Sequence, residues 1–313
     1  MSKGIKGIVY KSTGSWYSVC DEGGKFWNAR VKGKFKIDEG ISSTNPIAVG
    51  DAVILNEEEG EEGSIATIAE IGDRHNYIVR VSPHNKNQKH IVASNLDLAL
   101  VMVTIAEPRT SQGFIDRFLI TAEAYHIPAV IVINKIDLLK AKHREQLDHR
   151  KTMYEEAGYE VFPVIALQHD TVLALEKRLK GITTLFSGHS GVGKSTLINQ
   201  LIPGKELKTQ EVSGWSGKGQ HTTTFAEMFN LPGGGKIIDT PGVKEFGLID
   251  FKKEELAHYF PEMRRVMNDC KFNNCLHINE PDCAVKKAVN ENKITVDRYA
   301  SYMTILDTIE KKW

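Results

Sequence analysis

The rhythm of hydrophobic and polar positions changes twice along this chain, and each change marks a different kind of structure. Over residues 1–75 short apolar-polar runs recur: Gly4-Ile5-Lys6-Gly7-Ile8-Val9-Tyr10, Ser15-Trp16-Tyr17-Ser18-Val19, Phe26-Trp27-Asn28-Ala29-Arg30-Val31 and Asp51-Ala52-Val53-Ile54-Leu55. Glycine-bearing turns separate them, and no helical spacing intervenes. Such a pattern predicts short strands closed into a small β-barrel of the OB-fold kind. Residues 76–92 interrupt it; the stretch 80–89 is basic, rich in His and Asn, and reads as a linker. From 93 to 248 the strands become solid apolar blocks, at 96–104 and 129–133, alternating with helical stretches at 114–126 and 172–179 and further strands at 161–164 and 183–186. Strands apolar on both faces belong to a parallel sheet covered by helices on each side, a doubly wound α/β nucleotide-binding domain. From 249 to 313 the pattern turns helical around three cysteines, and 287–313 reads as one amphipathic helix. The expected architecture is multi-domain α/β: a barrel, a nucleotide domain and a helical metal-binding domain.

Composition narrows the class. At 313 residues two or three domains are expected. A hydrophobic fraction of 41% beside 26% charged residues argues for a folded globular chain. No apolar run reaches the roughly 18–20 residues of a membrane span. The start, Met1-Ser2-Lys3-Gly4-Ile5-Lys6, lacks the apolar core of a signal peptide, so a cytoplasmic monomer without membrane association is expected. The net charge is zero but uneven. Lys3, Lys6, Lys11, Lys25, Arg30, Lys32, Lys34 and Lys36 face only Asp21 and Glu22 in the first 36 residues, and an acidic run follows at Glu57, Glu58, Glu59, Glu61 and Glu62. Basic residues interleaved with Tyr10, Trp16, Tyr17, Phe26, Trp27 and Phe35 suit an RNA-binding barrel whose aromatics stack on bases. The other reading places the aromatics in the barrel core.

Two motifs carry the chemistry. Gly188-His189-Ser190-Gly191-Val192-Gly193-Lys194-Ser195, followed by Thr196, is a phosphate-binding P-loop between a short strand and a helix. Its glycines let backbone N–H groups wrap the phosphates, Lys194 bridges the β- and γ-phosphates, and Ser195 is a magnesium ligand. Asn134-Lys135-Ile136-Asp137 reads guanine. Asp137 accepts two hydrogen bonds from the ring N–H and exocyclic amine, Lys135 packs its stem over the base, and Asn134 ties loops together. The nucleotide is therefore GTP. Thr222-Thr223-Thr224 supplies a candidate magnesium and γ-phosphate ligand, Thr223. Asp239-Thr240-Pro241-Gly242 offers Asp239 to magnesium and the Gly242 N–H to the γ-phosphate. Val243 follows where many GTPases place the glutamine that orients water. His221 is the candidate for that task, with a structural or RNA-facing role as its alternative. Slow intrinsic turnover of about 10⁻⁴–10⁻² s⁻¹ follows from such an incomplete site. In ordinary GTPases the P-loop precedes the guanine motif. Here the order is reversed, which points to circular permutation.

Cys270, Cys275, His277 and Cys283 form a Cys₃His set within fourteen positions, the composition of a closed structural zinc site. The remaining Cys20 lies in a strand and reads as a packing residue.

The whole set resembles the circularly permuted GTPases of bacteria that depend on the small ribosomal subunit. The resemblance rests on Asn134-Lys135-Ile136-Asp137, the P-loop at 187–196, Gly219-Gln220-His221-Thr222-Thr223-Thr224, Asp239-Thr240-Pro241-Gly242 and the four metal-site residues. It implies an OB-fold, a permuted GTPase and a zinc domain in that order, a late role in small-subunit maturation, binding to that subunit's rRNA, and turnover stimulated by it. A GTP-gated rRNA-binding module with incidental hydrolysis is the alternative. One departure stands out. The second guanine loop usually carries Ser-Ala or Ser-Ser, whereas Val164-Ile165-Ala166-Leu167 has isoleucine at the serine position, leaving the Ala166 N–H as the expected contact to guanine O6. The chain also runs from Gly242 straight into the cysteine-rich segment, so γ-phosphate-driven movement is expected to shift that segment.

Overall fold

A computed structural model describes residues 4–31, 46–58, 64–81, 89–207, 225–240 and 251–310. The alternating N-terminal runs become β1 (Ile5–Ser12), β2 (Tyr17–Asp21), β3 (Phe26–Val31) and β4 (Ala52–Glu57), joined by β5 (Ile65–Ile71). Antiparallel ladders β1–β2, β2–β3 and β4–β5, a parallel β3–β5 pair and an antiparallel β1–β4 pair close the barrel. Alternate residues point inward, so Val9, Tyr17, Val19, Trp27, Ala29, Val53, Leu55, Ala66 and Ile68 share one core. The aromatics divide between the two readings. Tyr10, Tyr17 and Trp27 are buried, whereas Trp16 and Phe26 are 43% and 50% exposed; Phe35 lies outside the described residues. Part of the local charge is also spoken for, since Arg30 pairs with Glu58 at 2.6 Å.

The expected linker at 76–92 is instead largely an antiparallel hairpin, β6 (Tyr77–Val81) with β7 (Lys89–Ser94). Ile78 and Ala93 sink into the core of the next domain, which holds the two strands in place. Asp51, fully buried, ties this hairpin to the barrel. It accepts bonds from Arg74 Nε (2.7 Å), Ser94 Oγ (2.5 Å) and the Ala48 amide (2.8 Å).

The nucleotide domain comprises β8 (Leu98–Thr104), α1 (Gln112–Ala124), β9 (Ala129–Asn134), α2 (Ala141–Ala157), β10 (Glu160–Pro163), α3 (His169–Leu179), β11 (Thr183–Ser187), α4 (Lys194–Leu201), β12 (Glu227–Asn230) and β13 (Lys236–Asp239). All seven residues of β8 are buried, as expected of a central parallel strand. The strand order is β10-β9-β8-β11-β13-β12, and it continues through β1 into the barrel. Only β12 runs antiparallel within this sheet. Two cores, one on each face, confirm the doubly wound layering.

The C-terminal region holds a 3-10 segment at Lys253–Tyr259, α5 (Pro261–Arg264), α6 (Ala284–Asn290) and α7 (Val296–Glu310). The single helix expected over 287–313 is therefore two, broken at 291–295. Asn292 at the break has φ +57°, a left-handed conformation that a helix cannot continue through. Ile120 of α1 packs into this region's core beside Phe260, Val285 and Tyr302. Arg298, 1% exposed, bridges Glu262 at 2.6 Å and Asp116 of α1, whose carboxylate also accepts the Tyr154 hydroxyl at 2.9 Å.

Candidate nucleotide site and metal centre

The P-loop emerges from β11, the central strand, and turns into α4. Its glycines are there for two reasons: positive φ and close approach. Gly188, Gly191 and Gly193 have φ +149°, +83° and +103°. A Cβ at Gly188 would stand 2.3 Å from the Met102 carbonyl, and one at Gly193 would stand 2.3 Å from Asn134 Nδ2. Lys194 curls over the loop, its Nζ donating to the carbonyls of Gly188 (2.5 Å) and His189 (3.1 Å). Burial pulls its ammonium below the ordinary lysine range, opposed by the carboxylate of Asp239. Ser195 and Thr196 follow in the first turn of α4, where the backbone N–H groups and helix dipole favour an anion. Val192 is buried, anchoring the loop from beneath, and Ser190 is exposed. The His189 ring lies against Phe114 of α1, centroids 3.8 Å apart.

Asn134 joins the two motifs. Buried at the end of β9, it donates from Nδ2 to the Val192 carbonyl (2.8 Å) and accepts the Ala166 amide at Oδ1 (2.9 Å). The P-loop and both guanine loops are thereby locked to one side chain, although residues 134 and 192 are far apart in sequence. The Ala166 N–H, the expected contact to guanine O6, donates to Asn134 Oδ1 here. Its part in this structure is to brace the guanine loop. Lys135, at φ +61°, reaches the Glu107 carbonyl (3.0 Å), a contact that nothing in the sequence signalled. Asp137 sits exposed in the 3-10 turn Ile136–Leu138 that follows.

Asp239 ends β13 beside the P-loop strand, 3% exposed, and Thr240 Oγ1 donates to the Phe186 carbonyl (2.9 Å). This bond pins the start of the Asp239-Thr240-Pro241-Gly242 loop to β11. His221, Thr222, Thr223, Thr224, Gly242 and Val243 lie outside the described residues.

The four metal-site residues converge. Their ligand atoms all lie within 4.8 Å of one another. His277 Nδ1 is 3.4 Å from Cys283 Sγ and 3.7 Å from Cys270 Sγ, and these two sulfurs are 3.9 Å apart. Burial, then the neighbouring thiols, push Cys275 up to about 12, a penalty that a bound cation would remove. The set could hold a metal ion. Three residues that the spacing did not reveal support it. Glu280 accepts the amides of Leu276 (2.8 Å) and Ile278 (2.7 Å), clasping the turn that holds His277 at φ +59°. Tyr299 and Tyr302 donate to the carbonyls of His277 (2.6 Å) and Leu276 (2.9 Å). Cys20, half-buried in β2, packs against the nucleotide-domain core.

Comparison with known proteins agrees with this geometry. The family described as RsgA GTPase matches residues 71–249, and the RsgA N-terminal domain matches residues 6–65. A Bacteroides fragilis protein named small ribosomal subunit biogenesis GTPase RsgA is 50% identical over 309 residues, 98% of each chain. The chain belongs to the RsgA GTPase family. It is a GTPase, a hydrolase acting on GTP. A Flavobacterium psychrophilum RsgA is 50% identical over 303 residues, 97% of this chain and 93% of its own. Among solved structures, Thermotoga maritima YjeQ superposes with a TM-score of 0.80 at 30% identity, covering 99% of this chain and all of that one. YloQ, described as a circularly permuted GTPase, superposes at 0.75 with 27% identity over 100% of this chain and 97% of its own. The RsgA assignment accounts for the reversed motif order: β9 carries the guanine motif ahead of β11 and its P-loop, yet both end at the same edge of one sheet.

Proposed function

We propose that this RsgA-family chain hydrolyses GTP to GDP and phosphate in the biogenesis of the small ribosomal subunit, binding that subunit and its rRNA late in maturation and turning over faster on it. The carrying observation is the Asn134 bridge, which assembles a P-loop and a guanine loop into one site in a chain half identical, end to end, to relatives named for that role. In this reading the amides of 188–193 and Lys194 hold the phosphates, and Asp137 and Lys135 hold guanine. Ser195, Thr223 and Asp239 would hold magnesium, which offsets phosphate charge when bound. Gly242 senses the γ-phosphate, and His221 positions water. The working division is a barrel at 1–75, a GTPase domain at 93–248 and a metal-binding domain from 249, with the hairpin of 77–94 between the first two.

Zinc is the metal we assign to Cys270, Cys275, His277 and Cys283. Tetrahedral zinc with Zn–S near ~2.3 Å and Zn–N near ~2.0 Å places sulfurs roughly 3.8 Å apart and sulfur and nitrogen roughly 3.5 Å apart. The separations among Cys270, His277 and Cys283, 3.4–3.9 Å, suit that set, and Cys275 completes it with all four ligand atoms within 4.8 Å of one another. The protein is proposed to act as a cytoplasmic monomer, and among the described residues no helix is long and apolar enough to cross a membrane. Co-sedimentation with purified small subunits tests the reading. Retention with a non-hydrolysable GTP analogue and release with GDP is expected; equal recovery with both, or none with either, refutes it.

A further inference from the structure

Alternate residues of the second guanine loop have different surroundings. Val164 and Ala166 are buried in the core on that face of the sheet, beside Val172, Leu175 and Leu179 of α3. Their amides are tied to the guanine strand and its motif, Val164 to the Ile133 carbonyl at 2.8 Å and Ala166 to Asn134 Oδ1 at 2.9 Å. A turn then closes over residues 165–168, the Gln168 amide donating to the Ile165 carbonyl at 2.7 Å. Leu167 stands on that turn, 79% exposed, more than any other large apolar side chain among the described residues. A single exposed leucine is ordinary on a protein surface. This one is held in a fixed place, one residue past the amide that bonds Asn134.

Ile165 occupies the position where a serine was expected, and it brings no polar atom to hold the turn. The hydroxyl comes from Thr171, in the first turn of α3. Its Oγ1 accepts the Ile165 amide at 2.9 Å, and its one proton is within reach of the carbonyls of Gln168 (2.8 Å) and Ile165 (3.0 Å). Gln168, the N-cap residue, makes no side-chain bond to the helix. Since α3 is seated in the core through Val172, Leu175 and Leu179, Thr171 ties the turn to a fixed frame.

We propose that Thr171 is a positioning residue of the guanine pocket: its hydroxyl fixes the turn of residues 165–168 so that Leu167 stands as an apolar wall against one face of the base. A purine has a polar edge and two apolar faces. Asp137 takes the edge, and the Lys135 stem, held at its tip by the Glu107 carbonyl (3.0 Å), takes one face. Leu167 takes the other. The inference rests on the reading of residues 134–137 as the guanine motif, and it accounts for how the loop tolerates isoleucine at position 165.

The test is GDP titration into the full chain, with magnesium present. Thr171→Val keeps the side chain's shape and removes the hydroxyl, so the GDP Kd should rise about 5–10-fold, the scale of one lost hydrogen bond. Thr171→Ser keeps the hydroxyl and should bind like wild type. Leu167→Ala should raise the Kd about 5–20-fold through lost apolar contact. The double variant Thr171→Val/Leu167→Ala should lose less than the product of the two, because the turn then has no wall to place. In GTP hydrolysis the Thr171→Val loss should appear in KM rather than kcat. A GDP affinity unchanged by Thr171→Val or by Leu167→Ala, or losses that multiply in full, overturns the inference. Asp137→Asn is the control. If it weakens GDP while the other two variants do not, this inference alone fails; if all three leave GDP binding unchanged, the guanine reading fails and takes the inference with it.

Discussion

Asp137 is the residue proposed to read the base. Its carboxylate can accept both donors that guanine presents, so Asp137→Asn replaces two charge-assisted bonds with a mismatch. Each is worth roughly 1.5–3 kcal/mol, so GTP affinity should fall by about 10²–10⁴-fold. Affinity for xanthosine triphosphate should rise, because its 2-oxo group meets the new amide donor. Nucleotide titration measures both, and an unchanged GTP affinity would remove Asp137 from the site. His189 predicts a pH effect. Burial, then the Lys194 charge, hold its imidazole below the ordinary value, so the unfolded chain binds more protons. Its contribution to stability is complete above about pH 6.5 and is lost as pH falls through the lower folded value. Unfolding midpoints at pH 7.5 and 5.5 should therefore converge in a His189→Phe variant, which keeps a ring on Phe114. At this scale the sequence singled out the P-loop and the Asn134 loop that the fold brings together, because phosphate and guanine chemistry admit few residue types at fixed spacing. The Ala166 amide was not, since its partner Asn134 is 32 residues away and only the folded backbone brings them together.

Arg298 holds two elements together. Burial disfavours its charge, but Asp116 and Glu262 outweigh that cost and hold the guanidinium well above the ordinary arginine value. Arg298→Ala leaves those carboxylates buried and unpaired, so about 3–5 kcal/mol of stability should be lost, read from urea unfolding. A loss below about 1 kcal/mol would mark the cluster as a surface-type pair. If zinc fills the Cys₃His set as proposed, Cys283→Ser should lower it well below one equivalent by metal analysis while GTP binding persists, because the nucleotide cores do not include that cysteine. Elements with strong periodicity were readable, β8 and β9 above all. Three others were obscured. Helix α2 buries only Met153, Tyr154 and Ala157 of its seventeen residues, so it shows almost no apolar stripe. The hairpin of 77–94 hides its buried arms beside a polar middle. β5 is read as a strand only through its partners β3 and β4.

For the whole molecule, the reversed motif order was decisive in the sequence, and the sheet explains it. Cutting and rejoining the chain leaves the strand order intact, so β9 and β11 still deliver their loops to one edge. Domain order was also legible, because each domain buries its apolar residues with a different period. How the domains meet was not, since the Arg298 cluster, the Asp51 hub and the β1–β12 seam each join residues distant in sequence and leave no local pattern. The central claim is that this site hydrolyses GTP in response to the small ribosomal subunit. GTP turnover should be measured alone, with purified small subunits and with large subunits as control. Turnover alone should lie near 10⁻⁴–10⁻² s⁻¹, on the scale of about 10³-fold or more below a completed site, and rise steeply with small subunits only. Equal turnover in all three conditions, with GTP still bound, would contradict the account.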